Sequence, residues 1–161
     1  MKLFQFLIRI QFLSYYLPKA RTYFNCVLLT LLVSVKTEIW ASDQHEIIVN
    51  PAVSEKTLSV NSLRSIFSMR LTTWPDGTKI RVFVLPDDDR LHQSVAKEKL
   101  NVFPYQLRST WDRLVFSGTG QAPIKVNSSE EMLAKVASTP GAIGYLWRAN
   151  INENVNVLQI K

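Results

Sequence analysis

The chain has 161 residues and a formal net charge of +6, with 47% apolar and 20% charged residues. That length admits one ordinary domain, and an apolar content this high excludes an intrinsically disordered chain. The single cysteine, Cys26, excludes a disulfide framework and a cysteine-based zinc site, while the basic balance raises polyanions and anionic membranes as partners.

The first forty residues differ from the rest. Lys19 and Arg21 precede an apolar run from Phe24 to Val35, and Ala41 follows a few residues later. A basic flank, an apolar stretch of about a dozen residues and a small residue at the cut site are the marks of a secretory signal. The run is shorter than the roughly 20 residues that span a membrane. Residues 1–41 are therefore expected to be a signal peptide cleaved after Ala41, with an over-extended start. The alternative is an uncleaved N-terminal segment that anchors the chain to a membrane. Cys26 is not at a cleavage site, so it is no lipoprotein cysteine. Residues 1–41 carry Lys2, Arg9, Lys19, Arg21 and Lys36 against Glu38 alone, which leaves +2 for residues 42–161. The remaining basic residues are dispersed, and nucleic acid is not an expected partner.

Residues 42–161 read as one α/β unit. The β-branched run His45 to Asn50 predicts a buried strand. Leu63, Ile66 and Phe67 recur at helical spacing within a helix over 58–69, behind Ser59 or Asn61 as caps. Trp74-Pro75-Asp76-Gly77 is a turn, and Ile80 to Leu85 is the strongest strand in the sequence. Asp87, Asp88 and Asp89 open a helix to about Leu100, because early carboxylates suit the helix dipole. Pro104 begins another helix, in which Leu107, Trp111 and Leu114 share a face and which Ser117 to Gly120 ends. Ser128 and Glu131 have the spacing of a capping box, and Met132, Leu133, Val136 and Ala137 form the face behind it. Thr139-Pro140-Gly141 stops that helix. Strands follow at 142–147 and 155–160. Strands alternating with helices imply a mainly parallel or mixed sheet covered by helices.

Chemistry-bearing motifs are sparse. His45 and His92 are far apart in the sequence, without the spacing of metal ligands, and read as surface histidines; no metal or cofactor is expected. There is no G-x-S-x-G elbow and no serine–histidine pairing, so the chain is not read as an enzyme. Asp87 to Asp89 lacks the ligand spacing of a calcium loop. Ser117-Gly118-Thr119-Gly120 is a candidate anion cradle, since small residues let backbone amides approach an anion; the same tetrapeptide also serves to end a helix. Of Trp74, Trp111 and Trp147, two are expected in the core.

Several segments together resemble the phosphate ABC-transporter substrate-binding family, the type II periplasmic binding proteins. They are Ile47 to Pro51, Leu63 to Gly77, Ile80 to Leu85, the Trp111 helix and Thr139 to Tyr145, in the family's order. The resemblance implies a single lobe of a type II periplasmic-binding-protein-like fold, a mixed β-sheet flanked by helices, over residues 42–161. It further implies a secreted or periplasmic, non-enzymatic solute- or anion-binding module with a phosphate-like anion as ligand and a membrane transporter as partner. The family's Arg-x-x-x-Ser-Gly-Thr after the strand is replaced here by Leu85 to Leu91, which brings three carboxylates. Arg90, Ser94 and the backbone of Ser117, Gly118, Thr119 and Gly120 are then the anion-binding candidates. The alternative is an interaction or accessory module without ligand binding, in which the uncovered face docks another protein or a second copy as a homodimer.

Overall fold

The computed structural model describes residues 44–161, within a unit that runs Ser42–Lys161. The expected leader and its cleavage point lie outside the described residues. In chain order the elements are β1 (His45–Val49), β2 (Thr57–Leu58), α1 (Val60–Phe67), β3 (Arg81–Val84), α2 (Arg90–Glu98), α3 (Pro104–Phe116), β4 (Ile124–Lys125), α4 (Ser129–Ser138), β5 (Ala142–Trp147), a 3-10 turn (Arg148–Asn150) and β6 (Asn156–Ile160).

The six strands form one mixed sheet in the order β2-β6-β1-β5-β3-β4. β1 is antiparallel to both β5 and β6, and the remaining pairs are parallel. Every strand but β1 therefore points the same way, so five carboxyl ends share one edge of the sheet. β1 starts at that edge. Ile47, Ile48 and Val49 of β1 are fully buried, as expected of a central strand covered on both faces, where no alternation with polar residues can survive.

Successive side chains of a strand point to opposite faces, and Gly144 and Tyr145 of β5 divide the helices accordingly. A Cβ on Gly144 would stand 2.5 Å from Met132 Sδ and 3.0 Å from Val136 Cγ2, so α4 lies directly on this glycine. Only a residue without a side chain permits that approach. On the other face, Tyr145 meets Phe67 of α1 and His92 of α2 at ring distances of 5.9 Å. Trp111 of α3 donates its indole N–H to the Phe67 carbonyl at 2.8 Å. Trp74 does the same to the Gly141 carbonyl at 3.0 Å. Both indoles are buried and paired, while Trp147 is half-buried, edge-on to His45.

The helix ends follow local chemistry. Ser59, rather than Asn61, caps α1 by accepting the Ser62 amide at 3.0 Å. Asp89 caps α2, its Oδ1 accepting the amides of Leu91 at 2.7 Å and His92 at 3.2 Å. Ser128 caps α4 by accepting the Glu131 amide at 3.1 Å. The reciprocal half of that box differs from expectation, because the Glu131 carboxylate takes the amide of Asn127 at 2.8 Å instead of that of Ser128. The two-residue strands β2 and β4 were not expected either. They close the sheet's edges and are too short to carry a period of their own.

Candidate functional site

In open α/β sheets the crevice outside the carboxyl ends of the strands is where ligands collect, because loops and helix N-termini converge there. Here that edge receives the start of α1 after β2, of α2 after β3 and of α4 after β4.

At the end of β3 the Leu85 amide donates to Tyr145 Oη at 2.9 Å. Tyr145 Oη also lies 2.6 Å from His92 Nδ1. The oxygen thus accepts the Leu85 proton and shares a second hydrogen bond with Nδ1. The other ring nitrogen, Nε2, is buried without a hydrogen-bond partner among the described residues. Burial pushes His92 below the usual imidazole value, opposed by the nearby charges of Asp87 and Asp89 and reinforced by Lys125 and Arg108. Burial also pushes the Tyr145 phenol far above its usual range. Both rings are therefore neutral at pH 7, and hydrogen bonds through the phenol oxygen link the Leu85 backbone to the imidazole.

The three consecutive aspartates have separate surroundings. Asp87 Oδ2 accepts from Arg108 of α3 at 2.9 Å (Nε) and 2.8 Å (Nη2), while its Oδ1 is buried and unpartnered among the described residues. Asp88 is exposed, and Asp89 is the cap of α2. The acidic turn is thus partly neutralised by a guanidinium that comes from 21 positions away. Among the described residues no group of three or more His, Cys, Asp or Glu could hold a metal ion.

Of the residues expected to bind an anion, Arg90 heads α2 and is exposed, and Ser94 follows one turn later, half-buried on the same side of the helix. Ser117 to Gly120 lie at the other end of α3 from the Arg108 contact, about 13 Å along the axis for nine residues. Their amides are all in use. Ser117 donates to Arg113, Gly118 to Val115, and both Thr119 and Gly120 to Leu114, at 3.0 to 3.2 Å. Gly118 has φ +68, so the tetrapeptide is a helix C-cap in which glycine supplies the left-handed conformation. Arg90 and Ser94 lie on α2, and Arg108 on α3 reaches the Asp87 carboxylate just before α2.

Both histidines correct the expectation of surface residues. His92 is 2% exposed and His45 4%. His92 lies one position from Leu91 on the buried side of α2, and His45 packs at the start of β1 against Trp147, with its Nε2 3.8 Å from Glu98. Arg108 and Tyr145 were not singled out as site residues. Arg108 sits in an ordinary amphipathic helix, and nothing local marks a contact with Asp87.

A family model described as the PBP superfamily domain matches residues 41–158. No curated protein is significantly similar. Among solved structures, an ABC-type phosphate transport receptor from Vibrio cholerae is 18% identical over 72% of this chain and 45% of its own, with a TM-score of 0.58. A putative phosphate ABC transporter substrate-binding protein with bound phosphate from Clostridium perfringens is 14% identical over 72% and 44%, at 0.59. PstS from Borrelia burgdorferi is 16% identical over 73% and 47%, at 0.53. The chain spans less than half the length of these solved relatives, and its described part corresponds to a single lobe of their fold.

Proposed function

The chain belongs to the PBP superfamily domain family, and from that premise we propose that it is an exported binding module that takes a small, phosphate-like anion at the carboxyl edge of its sheet. The family and its solved neighbours are binding proteins rather than enzymes. The observation that carries the anion reading is Arg108, whose guanidinium stands at the end of β3 beside the start of α2 and already holds one oxyanion, the Asp87 carboxylate. A guanidinium fork suits a tetrahedral or planar oxyanion equally well. Arg90 and Ser94, one turn apart on α2, supply further donors. The Ser117 to Gly120 backbone would contribute only if its amides left the end of α3. Export through the N-terminal leader brings the module to the periplasm, where a membrane transporter is the natural recipient of its ligand.

Thermal unfolding of the full chain across phosphate, sulfate, nitrate and chloride tests this reading. A ligand at a hundred times its Kd stabilises by about 2.7 kcal/mol, so phosphate is expected to raise the midpoint well above the chloride control. Identical midpoints in all four salts would defeat the proposal. Sequencing of the exported protein should begin at Ser42.

A second reading, a protein-docking module, has its own support. Phe103 and Tyr105 at the start of α3 stack with centroids 5.7 Å apart and are 53% and 68% exposed, and Phe116 at its end is 88% exposed. Exposed aromatics are enriched at interfaces. A homodimer is one form of this reading, and light scattering on the full chain separates it from a monomer.

A further inference from the structure

Away from Arg108, on the other side of β1, the sheet edge holds a groove of ≈ 600 Å³. That is the size of a small-molecule site, ~300–1,000 Å³. Its polar end is Glu46 of β1 between two cations. Lys99, just past α2, stands 3.8 Å from Oε2, and Arg148, just past β5, stands 3.5 Å from Oε1. Contact ion pairs close to about 2.7–2.9 Å, so these three groups face one another without closing. Their side chains are 22%, 31% and 63% exposed respectively. Ile151 and Val157 give it an apolar lining, and Val157 is 43% exposed, a large aliphatic side chain left open to water on the strand.

Opposite charges this close discriminate against a ligand of a single sign. A lone carboxylate gains Arg148 and Lys99 but meets Glu46, and a lone ammonium gains Glu46 but meets two cations; each mismatch is penalised in a half-desolvated groove. A molecule that carries both charges a few Å apart, with an apolar body, satisfies every group at once. We propose that this groove is a binding site for an aliphatic zwitterion of the α-amino acid type. Its ammonium pairs with Glu46, its carboxylate with Arg148 and Lys99, and its side chain covers Val157 and Ile151. A second hollow of ≈ 260 Å³ shares Glu46 and Lys99 and extends the polar end. The proposal does not rest on the anion site at Arg108, which uses none of these residues.

Calorimetric titration of the full chain with L-leucine tests it, with 4-methylpentanoic acid (no ammonium) and leucinamide (no carboxylate) as comparators. Saturable binding of L-leucine is expected, at least tenfold tighter than either comparator and weakened at least tenfold in Glu46→Gln and Arg148→Ala. Arg148 is the most exposed of the three, so its variant keeps the test valid should Glu46→Gln fail to fold. No saturable binding of L-leucine would overturn the proposal. So would equal affinity for 4-methylpentanoic acid, or an unchanged isotherm in a folded Arg148→Ala protein. Inorganic phosphate is expected to leave the L-leucine isotherm unchanged, and competition between them would overturn the assignment to a separate site.

Discussion

The hydroxyl of Tyr145 bridges the end of one strand to the imidazole of His92, accepting the Leu85 amide at 2.9 Å and lying 2.6 Å from Nδ1. One buried oxygen thus ties β3, β5 and α2 together at the carboxyl edge of the sheet. In Tyr145→Phe the ring remains but the Leu85 amide and the His92 nitrogen lose their partner. A buried polar group left unsatisfied costs about 1–3 kcal/mol, so urea unfolding should show a lower midpoint at unchanged slope. A midpoint equal to wild type would mean that the bridge contributes nothing.

The neutral His92 makes stability depend on pH with a definite sign. The unfolded imidazole titrates near 6.5, and burial holds the folded one lower. Above the unfolded value neither state binds the proton and nothing is lost. As pH falls below it, the unfolded chain binds protons that the folded chain refuses, so stability declines until the folded value is passed. Unfolding free energies measured from pH 7.5 down to pH 5 should fall more steeply for wild type than for His92→Gln, and parallel curves would refute the assignment.

The close approach of α4 to β5 leaves no room at Gly144. Gly144→Ala places its methyl 2.5 Å from the sulfur of Met132, a fully buried side chain, and overpacking of this kind costs about 1–3 kcal/mol. A Gly144→Ala, Met132→Ala double variant should be less destabilised than the sum of the two single changes, because the residues share one space. Additive losses in a thermal-melt cycle would show that the strain lies elsewhere.

Much of this architecture was legible in the sequence, for reasons that can be located. β1, β3 and β5 are apolar runs because each is buried on both faces, and Trp74 and Trp111 fell in the core as their surroundings suggested. Asp89 was readable as part of a helix start because a cap is a local device. The buried histidines were not readable, since His92 stands among Asp87, Asp89, Lys97 and Glu98 and looks solvated until α2 is set against Tyr145. The Asp87–Arg108 pair links a loop to a helix across 21 positions, and no local spacing announces it. Ser117 to Gly120 are ambiguous for a different reason. Small residues that free amides for an anion and small residues that end a helix are the same letters, and the amides' partners decide between them.

At the proposed anion site, Asp87 would compete with the ligand for Arg108. The pair is partly exposed, at 32% and 41%, so Asp87→Asn should change the unfolding free energy in plain buffer little, by about 0–1 kcal/mol. Phosphate should then stabilise the variant more than wild type, with a severalfold tighter apparent affinity, since a negative charge beside the guanidinium is gone. An equal or weaker response in the variant would place the anion away from Arg108.

Calorimetric titration of inorganic phosphate into the full chain and its Arg108→Gln variant bears most directly on the anion site. Saturable binding by wild type, weakened at least tenfold in a variant that still melts cooperatively, is the predicted result. Phosphate binding of equal strength in both proteins, or none in wild type, would contradict it.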